Sequence, residues 1–339
     1  MLTRRAMLGQ VSAAASAAWA TRASVAVGAT ARTAVNFDVP RGACDCHVHV
    51  FGDPAKFPFA EKRVYTPPQA SVEELLALQR DLHLERVVVV QPSVYGADNA
   101  CTVDAVRRMG ARARGVAVID KATSRKTLED MAAAGIRGVR LNLETNTAGR
   151  FDPADAKAVL DATAEQIRGL GWHVQIYTRT SVIAALKDHL GGMPFPVVVD
   201  HFGRGNPAQG PSQPDFAALL DLVKSGRVYV KISGAYRVSE KAPDFAEVTP
   251  LAQALVAANP DRIVWGTDWP HPNSDYGRGK PLSEISPPFP IDDGLLLNQL
   301  AKWVPDAALR KKILVDNPAR LYGFEGRGLG HRAALPSPI

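Results

Sequence analysis

The sequence has little cysteine, no apolar run beyond its N-terminal segment that could span a membrane, and no cluster of basic residues. Only three cysteines occur in 339 residues, and they need not form a disulfide framework. No later stretch approaches the roughly 18 apolar residues needed to cross a bilayer. Lys and Arg are scattered among acidic residues, which argues against nucleic acid as a partner. The composition, 46% hydrophobic and 22% charged, predicts one large α/β domain.

The N-terminus has the features of an export signal. Arg4-Arg5 precedes an alanine-rich apolar run over 9–20, followed by small residues suited to cleavage near Ala20 or Ala29. This resembles a twin-arginine signal, although "RRAML" lacks the usual Phe after the pair; a disordered basic tail is the alternative. About half of the formal net charge of +6 lies in this segment. We predict a signal peptide over 1–29, the twin-arginine translocation machinery as a partner, and a periplasmic location.

The rest of the chain alternates short β-branched runs with helical patterns. After a linker over 30–42, we predict a barrel domain over 43–325 and a C-terminal tail over 326–339. The predicted strands are Cys44–Val50, Arg86–Gln91, Gly115–Ile119, Gly138–Leu143, His173–Tyr177, Val197–His201, Val228–Ile232 and Ile263–Gly266. The alternation of eight strands with helices predicts a closed (β/α)8 TIM barrel. An open doubly wound sheet is disfavoured because no Gly-rich phosphate turn follows the first strand.

Local signals predict where helices begin and which connections cover the barrel. Ser71 and Glu74 have capping-box spacing, Ser124 starts another helix, and Asp152-Pro153 opens one that runs to Ile167. Two connections, 52–70 and 271–291, are longer than ordinary loops and contain several aromatic residues. We predict that they act as lids over the barrel.

Polar residues end three of the predicted strands, where TIM barrels build their active sites. His47 and His49 end strand one, His201 ends strand six, and Asp268 follows strand eight. Asp268 suits a general base for water, and three imidazoles could polarise a carbonyl or hold a metal.

Strand parity separates the residues of "CDCHVHVFG" at 44–52. Because alternate residues share a face, Asp45, His47 and His49 are predicted to point into the barrel, while Cys44 and Cys46 point toward the helices. A mixed Cys/His zinc cluster would then require a broken strand. The cysteines are interpreted as apolar packing, and the deeper Asp45 as a residue that orients the histidines.

Four motifs carry a resemblance to a known family. The His-x-His of strand one, "VDHFGR", "VKISGAYR" and "IVWGTDWPHP", with a C-terminal "DNPARLYGF", resemble the amidohydrolase superfamily, in its amidohydrolase-related branch of 2-pyrone-4,6-dicarboxylate and sugar lactonases. The resemblance implies the barrel fold of metal-dependent hydrolases. It further implies a lactonase in which Asp268 activates water and His47, His49 and His201 stabilise the oxyanion.

The resemblance leaves the question of a metal open. Metal-dependent relatives carry a histidine at the end of strand five, but this strand has only His173, at its start, where a core role is predicted. The lactonase group tends to work without metal, so no cofactor is expected to be required. If a divalent Zn or Mn ion is bound, its ligands would be His47, His49 and Asp268.

Basic and hydroxyl side chains near the strand ends predict a small anionic lactone or carboxylic acid as the substrate. The candidates are Arg140, Ser93, Tyr177, Arg204, Arg237 and Tyr65. Glu144 would repel a second carboxylate, so we expect a lactone related to, but different from, the pyrone dicarboxylate.

Three other interpretations are compatible with parts of the sequence. Lys231 could point inward on strand seven, which allows a Schiff-base aldolase, but a structural ion pair is favoured because a buried lysine needs partners. A Zn- or Mn-dependent decarboxylase of an aromatic or muconate-type acid is the alternative to the lactonase. A periplasmic binding protein without catalysis is a third class, against which the complete His/His/His/Asp set argues.

Overall fold

A computed structural model describes residues 32–144 and 152–324 of the chain. The predicted signal over 1–29 and the predicted tail over 326–339 lie outside the described residues. Eight parallel strands pair in chain order into a nearly closed barrel, which confirms the predicted TIM barrel. The strands are β1 Cys44–Val48, β2 Arg86–Val90, β3 Ala113–Ala117, β4 Ile136–Asn142, β5 His173–Tyr177, β6 Val197–Val199, β7 Val228–Ser233 and β8 Ile263–Gly266.

Helices follow the strands. They are α1 Val72–Asp81, α2 Ala100–Met109, α3 Arg125–Ala134, α4 Pro153–Gln166, α5 Thr180–Ala185, α6 Lys187–Gly191, α7 Pro214–Lys224, α8 Thr249–Ala258, α9 Ser274–Gly277, α10 Asp293–Trp303, α11 Ala307–Lys311 and α12 Asn317–Tyr322. The predicted helix starts are confirmed, because Ser71 and Glu74 form a complete capping box and Ser124 caps α3. Asp152 caps α4, which ends at Gln166.

Apolar side chains form two layers, one outside and one inside the barrel. Alternate strand residues such as Val87, Val89 and Ile176 pack outward against the helices. The other set, including Val88, Val116 and Val264, fills the interior. His173 is buried at the floor against the ring of Tyr322, which confirms its predicted core role.

Asp45 bridges the seam between the first and last strands. The Asp268 N–H donates to the His47 carbonyl (2.8 Å), and the Asp45 carboxylate accepts from the Thr267 N–H (3.0 Å) and hydroxyl (2.6 Å). Asp45 also accepts from the backbone N–H of His47 (3.1 Å). It therefore positions the backbone of β1, and the structure does not place it against the imidazole rings.

The two long connections form a joint cover over the C-terminal end of the barrel. Thr66 bridges Ile285, and the Thr66 hydroxyl donates to the Leu282 carbonyl (2.6 Å). Arg63 donates to both Thr66 (2.8 Å) and Leu282 (3.3 Å). The predicted lids thus contact each other directly.

The described part of the predicted linker packs against α10. The Thr33 hydroxyl donates to Asp292 (2.7 Å), and the Asn36 N–H donates to Asn298 (2.9 Å). Within the described residues, no helix has the length and apolar character required to cross a membrane.

Candidate active site

A polar cavity that opens to solvent lies beneath the cover at the C-terminal ends of the strands. Its lining comprises His49, Tyr65, Pro92, Ser93, Arg140, Asn142, Tyr177, His201, Arg237, Asp268, Pro272 and Ser274. The structure therefore brings most of the residues predicted from the strand ends into one site.

A β-bulge in β1 decides which residues of the opening motif face the barrel interior. The register between β1 and β2 shifts between Asp45 and Val48. A bulge inserts an extra residue and reverses the alternation of side chains. Cys44 and Cys46 consequently pack inside the barrel, so their predicted orientation toward the helices was wrong. Their role as apolar packing holds, since both are free and buried.

Asp268 presents one oxygen to the cavity and holds the other in hydrogen bonds. Its Oδ2 accepts from the Tyr236 hydroxyl and from Arg237 Nε, each at 2.7 Å. Its Oδ1 has no hydrogen-bond donor among the described residues, and it lies 3.4 Å from His49 Nε2 and 3.7 Å from His47 Nε2. Asp268 also has a φ of +66°, a costly conformation for a residue with a side chain.

His49 is fixed as one tautomer by a backbone carbonyl. Its Nδ1 lies 2.8 Å from the Val90 oxygen, which can only accept a hydrogen bond. The proton of a neutral His49 ring is therefore on Nδ1, and the lone pair on Nε2 faces Asp268.

His201 follows β6 in a left-handed conformation with a φ of +49°. Its Nδ1 lies 3.0 Å from the Ser233 hydroxyl and 3.3 Å from the Ser233 carbonyl. Its Nε2 lies 3.9 Å from Asp268 Oδ2. His201 thus lines the same cavity as His49.

Burial and neighbouring charges shift the pKa values of these groups. Burial lowers the pKa of His201 to about 4 and holds the pKa of His47 well below its usual range. Burial alone would raise the pKa of Asp268, but Arg237 and the surrounding histidines hold it well below its ordinary value. At neutral pH these two imidazoles are neutral, and the Asp268 carboxylate is ionised.

Lys231 lies below the cavity in a network with Asp200 and Gln175. It is fully buried, donates to the Gln175 side-chain oxygen (2.7 Å), and lies 3.7 Å from Asp200 Oδ1. The predicted inward orientation and ion pair of Lys231 are confirmed.

The predicted substrate-contacting residues divide into two groups. Tyr65, Ser93, Arg140, Tyr177 and Arg237 line the cavity. Arg204 does not line it.

Arg204 instead supports two of the residues that do line the cavity. Its Nη1 donates to the Tyr177 hydroxyl (3.1 Å) and to the Arg237 carbonyl (2.9 Å). It therefore fixes these neighbours in place.

Glu144 is paired and does not stand as an isolated charge at the rim. Its carboxylate accepts from Arg179 Nε at 2.9 and 3.1 Å, and Arg204 lies 3.7 Å away. The two guanidinium groups offset the negative charge that was expected to repel a second substrate carboxylate.

The donor set around Asp268 Oδ1 fits one divalent cation. His47, His49 and Asp268 each offer a ligand atom, and these atoms lie within 4.8 Å of one another. His47 Nε2 and Asp268 Oδ1 are buried without hydrogen-bond partners among the described residues. Two imidazoles, a carboxylate and an open position match a three-ligand catalytic site.

The predicted site residues did not include the lining residues Pro92, Asn142, Pro272 and Ser274, nor three residues that support the site. Tyr236 precedes the predicted Arg237 and binds the same carboxylate. Asp200 and Gln175 lie one layer below the cavity and bind each other (3.0 Å). The sequence gives few signals for Asp200 and Gln175. Asp200 directly precedes His201, and strand parity places Gln175 on the inward face of β5.

Comparisons with known proteins show which family the chain resembles. A family model described as Amidohydrolase matches residues 44–324. The 4-sulfomuconolactone hydrolase of Rhizobium radiobacter is 41% identical over 302 residues, covering 87% of this chain and 95% of that protein. The 2-pyrone-4,6-dicarboxylate hydrolase of Comamonas testosteroni is 40% identical, over 84% of this chain and 92% of that protein.

A solved structure from Agrobacterium tumefaciens superposes with a TM-score of 0.71 at 30% identity, covering 86% of this chain and 98% of that chain. The family model spans every strand of the barrel and every residue of the cavity. The chain is therefore an enzyme that belongs to the amidohydrolase family.

Proposed function

We propose that this enzyme hydrolyses a small lactone that carries at least one acidic group. The observation that carries the proposal is the ionised Asp268, which has one oxygen without a hydrogen-bond donor among the described residues and lines a cavity together with Arg140 and Arg237. The relatives named above support it, because the substrates in their names are anionic lactones.

Asp268 is the group best placed to activate water. Tyr236 and Arg237 donate to Oδ2, so Oδ1 is the oxygen that remains to accept a hydrogen bond from a water molecule. The water oxygen would attack the lactone carbonyl while Oδ1 takes a proton. Collapse of the tetrahedral intermediate breaks the acyl C–O bond of the ring. The ring oxygen then takes the proton back from Asp268, giving a carboxylic acid and a hydroxyl group.

Stabilisation of the oxyanion requires a donor or a positive charge facing the carbonyl oxygen. In a neutral His49, Nε2 carries a lone pair and no proton. His49 could therefore stabilise the oxyanion only as an imidazolium or through a bound cation. His201 is a better donor, because the Ser233 hydroxyl can donate to Nδ1 and leave the proton on Nε2. Stabilisation of the oxyanion, which was predicted for His47, His49 and His201 together, is therefore proposed mainly for His201.

A divalent cation held by His47, His49 and Asp268 would polarise the carbonyl as a Lewis acid. We retain the proposal that no cofactor is required. Metal analysis, with activity measured before and after chelation, tests it. Loss of activity together with a stoichiometric Zn or Mn would overturn it.

The acidic group of the substrate is proposed to contact Arg140 and Arg237 from two sides of the cavity. Each arginine engages a carboxylate of the protein through Nε, at 3.1 Å to Asp200 and 2.7 Å to Asp268. The terminal nitrogens of the guanidinium group match a carboxylate or sulfonate. The hydroxyls of Tyr65, Ser93 and Tyr177 are the proposed neutral contacts.

A substrate panel with matched variants tests the proposal. Carboxylated and sulfonated lactones are assayed beside aromatic and muconate-type acids, so that decarboxylation would be detected. Asp268→Asn should lower kcat at least about 1,000-fold on any lactone that is opened, because the base is lost. The same substitution at exposed Asp221 is the control and should have no effect. Full activity of Asp268→Asn would refute the mechanism, and turnover of acids alone would refute the lactonase.

A further inference from the structure

Asp200 is a buried carboxylate that the proposed reaction does not use directly. It is fully buried below the cavity, and its Oδ2 accepts from Arg140 Nε (3.1 Å) and Gln175 Nε2 (3.0 Å). A buried carboxylate is stable only when it is paired and hydrogen-bonded. Burial opposes its charge, but His47, Lys231 and Arg140 together hold its pKa well below the ordinary value.

Lys231 completes the network from the floor of the barrel. Two of its three protons are directed to the Cys46 carbonyl (2.9 Å) and the Gln175 side-chain oxygen (2.7 Å). The third proton can reach either Asp200 Oδ1 at 3.7 Å or His47 Nδ1 at 3.4 Å.

The Nδ1 atom of His47 therefore lies between an acceptor and a donor. Asp200 Oδ1 is 3.3 Å from it on one side, and the Lys231 ammonium group is on the other. A neutral imidazole carries only one N–H, so Nδ1 either donates to Asp200 or accepts from Lys231.

Asp200 Oδ1 decides between the two arrangements. It has no hydrogen-bond donor among the described residues, apart from these two neighbours. If Nδ1 accepted from Lys231, this ionised oxygen would be left buried without a donor, which is unfavourable. If Nδ1 donates to Asp200, the oxygen is satisfied, and the third Lys231 proton points to the same carboxylate.

We propose that Asp200 is a positioning residue that holds His47 as the Nδ1–H tautomer and turns the Nε2 lone pair toward Asp268 Oδ1, 3.7 Å away. The arrangement follows the general rule that a carboxylate hydrogen-bonded to one ring nitrogen of a histidine fixes the tautomer and the orientation of the ring. His47 then acts as an acceptor, either as an aid to the base or as a ligand, and it does not donate to the oxyanion. The catalytic consequence rests on the proposed function, but the tautomer does not.

Nuclear magnetic resonance of ¹⁵N-histidine-labelled protein measures the tautomer directly. The full chain is purified as it is produced and examined again after chelation, and His47→Gln assigns the signal. We expect wild-type His47 to carry its proton on Nδ1 in both samples. In Asp200→Asn, the neutral amide and Lys231 can both donate to Nδ1, so the signal should shift toward the Nε2–H form.

Kinetics of the same variants separate positioning from substrate binding. Asp200→Asn should lower kcat about 10- to 100-fold, as loss of a supporting carboxylate generally does. Arg140→Met, the matched variant in the same network, should mainly raise KM and leave the His47 tautomer unchanged.

A wild-type His47 protonated on Nε2 would overturn the proposal, even if Asp200→Asn does not fold. An unchanged tautomer in a folded Asp200→Asn would also overturn it. If no lactone is hydrolysed, the proposed function fails, while the resonance data still decide the tautomer.

Discussion

His173 lies at the floor of the barrel, at the opposite end from the cavity. Its ring packs against Tyr322 with a centroid separation of 5.2 Å and covers the position that a side chain on Gly138 would take. Burial, aided by the charge of Lys231, lowers the pKa of His173 to about 3. The ring is therefore neutral in the folded protein at every pH at which the protein would normally be studied.

This burial predicts a pH-dependent stability. Between the unfolded pKa near 6.5 and the folded pKa of about 3, only the unfolded chain binds the proton, so the stability contributed by His173 falls as the pH falls. The loss is about 1.4 kcal/mol per pH unit, or about 2 kcal/mol between pH 6.5 and 5. His173→Phe keeps a ring of similar size but does not titrate.

Urea unfolding of both proteins at pH 7 and pH 5 provides the measurement. The free energy of unfolding of the wild type should fall by about 2 kcal/mol more than that of His173→Phe. The comparison cancels the titration of the other histidines and of the carboxylates. An equal fall in the two proteins would show that His173 is not buried in the neutral form.

For individual residues, the sequence predicted which side chains lie together in the site, but not which hydrogen bonds they form. His49, His201 and Asp268 were found from their positions after strands. The tautomer of His49 depends on a carbonyl of β2, and the asymmetry of Asp268 depends on Tyr236 and Arg237. These partners come from β2 and from the turn that follows β7, so no local pattern encodes them.

At the level of elements, the barrel was predictable because its signal repeats. Each strand and helix carries its own apolar period and caps, and all eight predicted strands overlap the observed ones to within about two residues at each end. The bulge in β1 was not predictable, because a single inserted residue leaves the composition of the strand unchanged. That bulge is why the cysteines were assigned to the wrong face.

The cover loops give a prediction about access to the site. Gly277, at the end of α9, packs so closely on Tyr65 that an added Cβ would lie 2.4 Å from the Tyr65 Cβ and 3.0 Å from its Cα. Overpacking of this kind costs about 1–3 kcal/mol unless the neighbours move. Tyr65 and Gly277 belong to the two long connections, which are joined through Thr66. The strain should therefore be relieved by moving Tyr65 away from the cavity.

Gly277→Ala should therefore raise KM about tenfold or more and change kcat less, because Tyr65 is proposed to contact the substrate. Ser283→Ala, an exposed position in the same connection, is the control and should behave as the wild type. Steady-state kinetics on the best lactone of the panel provide the measurement. A wild-type KM in Gly277→Ala would show that Tyr65 is not held by this contact.

For the whole molecule, the arrangement of charges favours an anionic ligand. The cavity gathers Arg140 and Arg237 at its wall, while Arg179 and Arg204 offset Glu144 near its rim. The closed barrel places these groups together although they are far apart in the chain. The sequence could predict the residue types, but the neutralisation of Glu144 became visible only in the folded structure.

The cellular location of the molecule is a separate proposal that rests on Arg4 and Arg5. A twin-arginine signal is read by a receptor, and lysine keeps the charge but lacks the planar fork of the guanidinium group. In the full chain, Arg4→Lys with Arg5→Lys should therefore move the protein from the periplasmic to the cytoplasmic fraction. Arg22→Lys, a like substitution later in the same segment, should leave export intact. Equal periplasmic amounts of all three proteins would contradict the signal and favour the alternative of a basic tail.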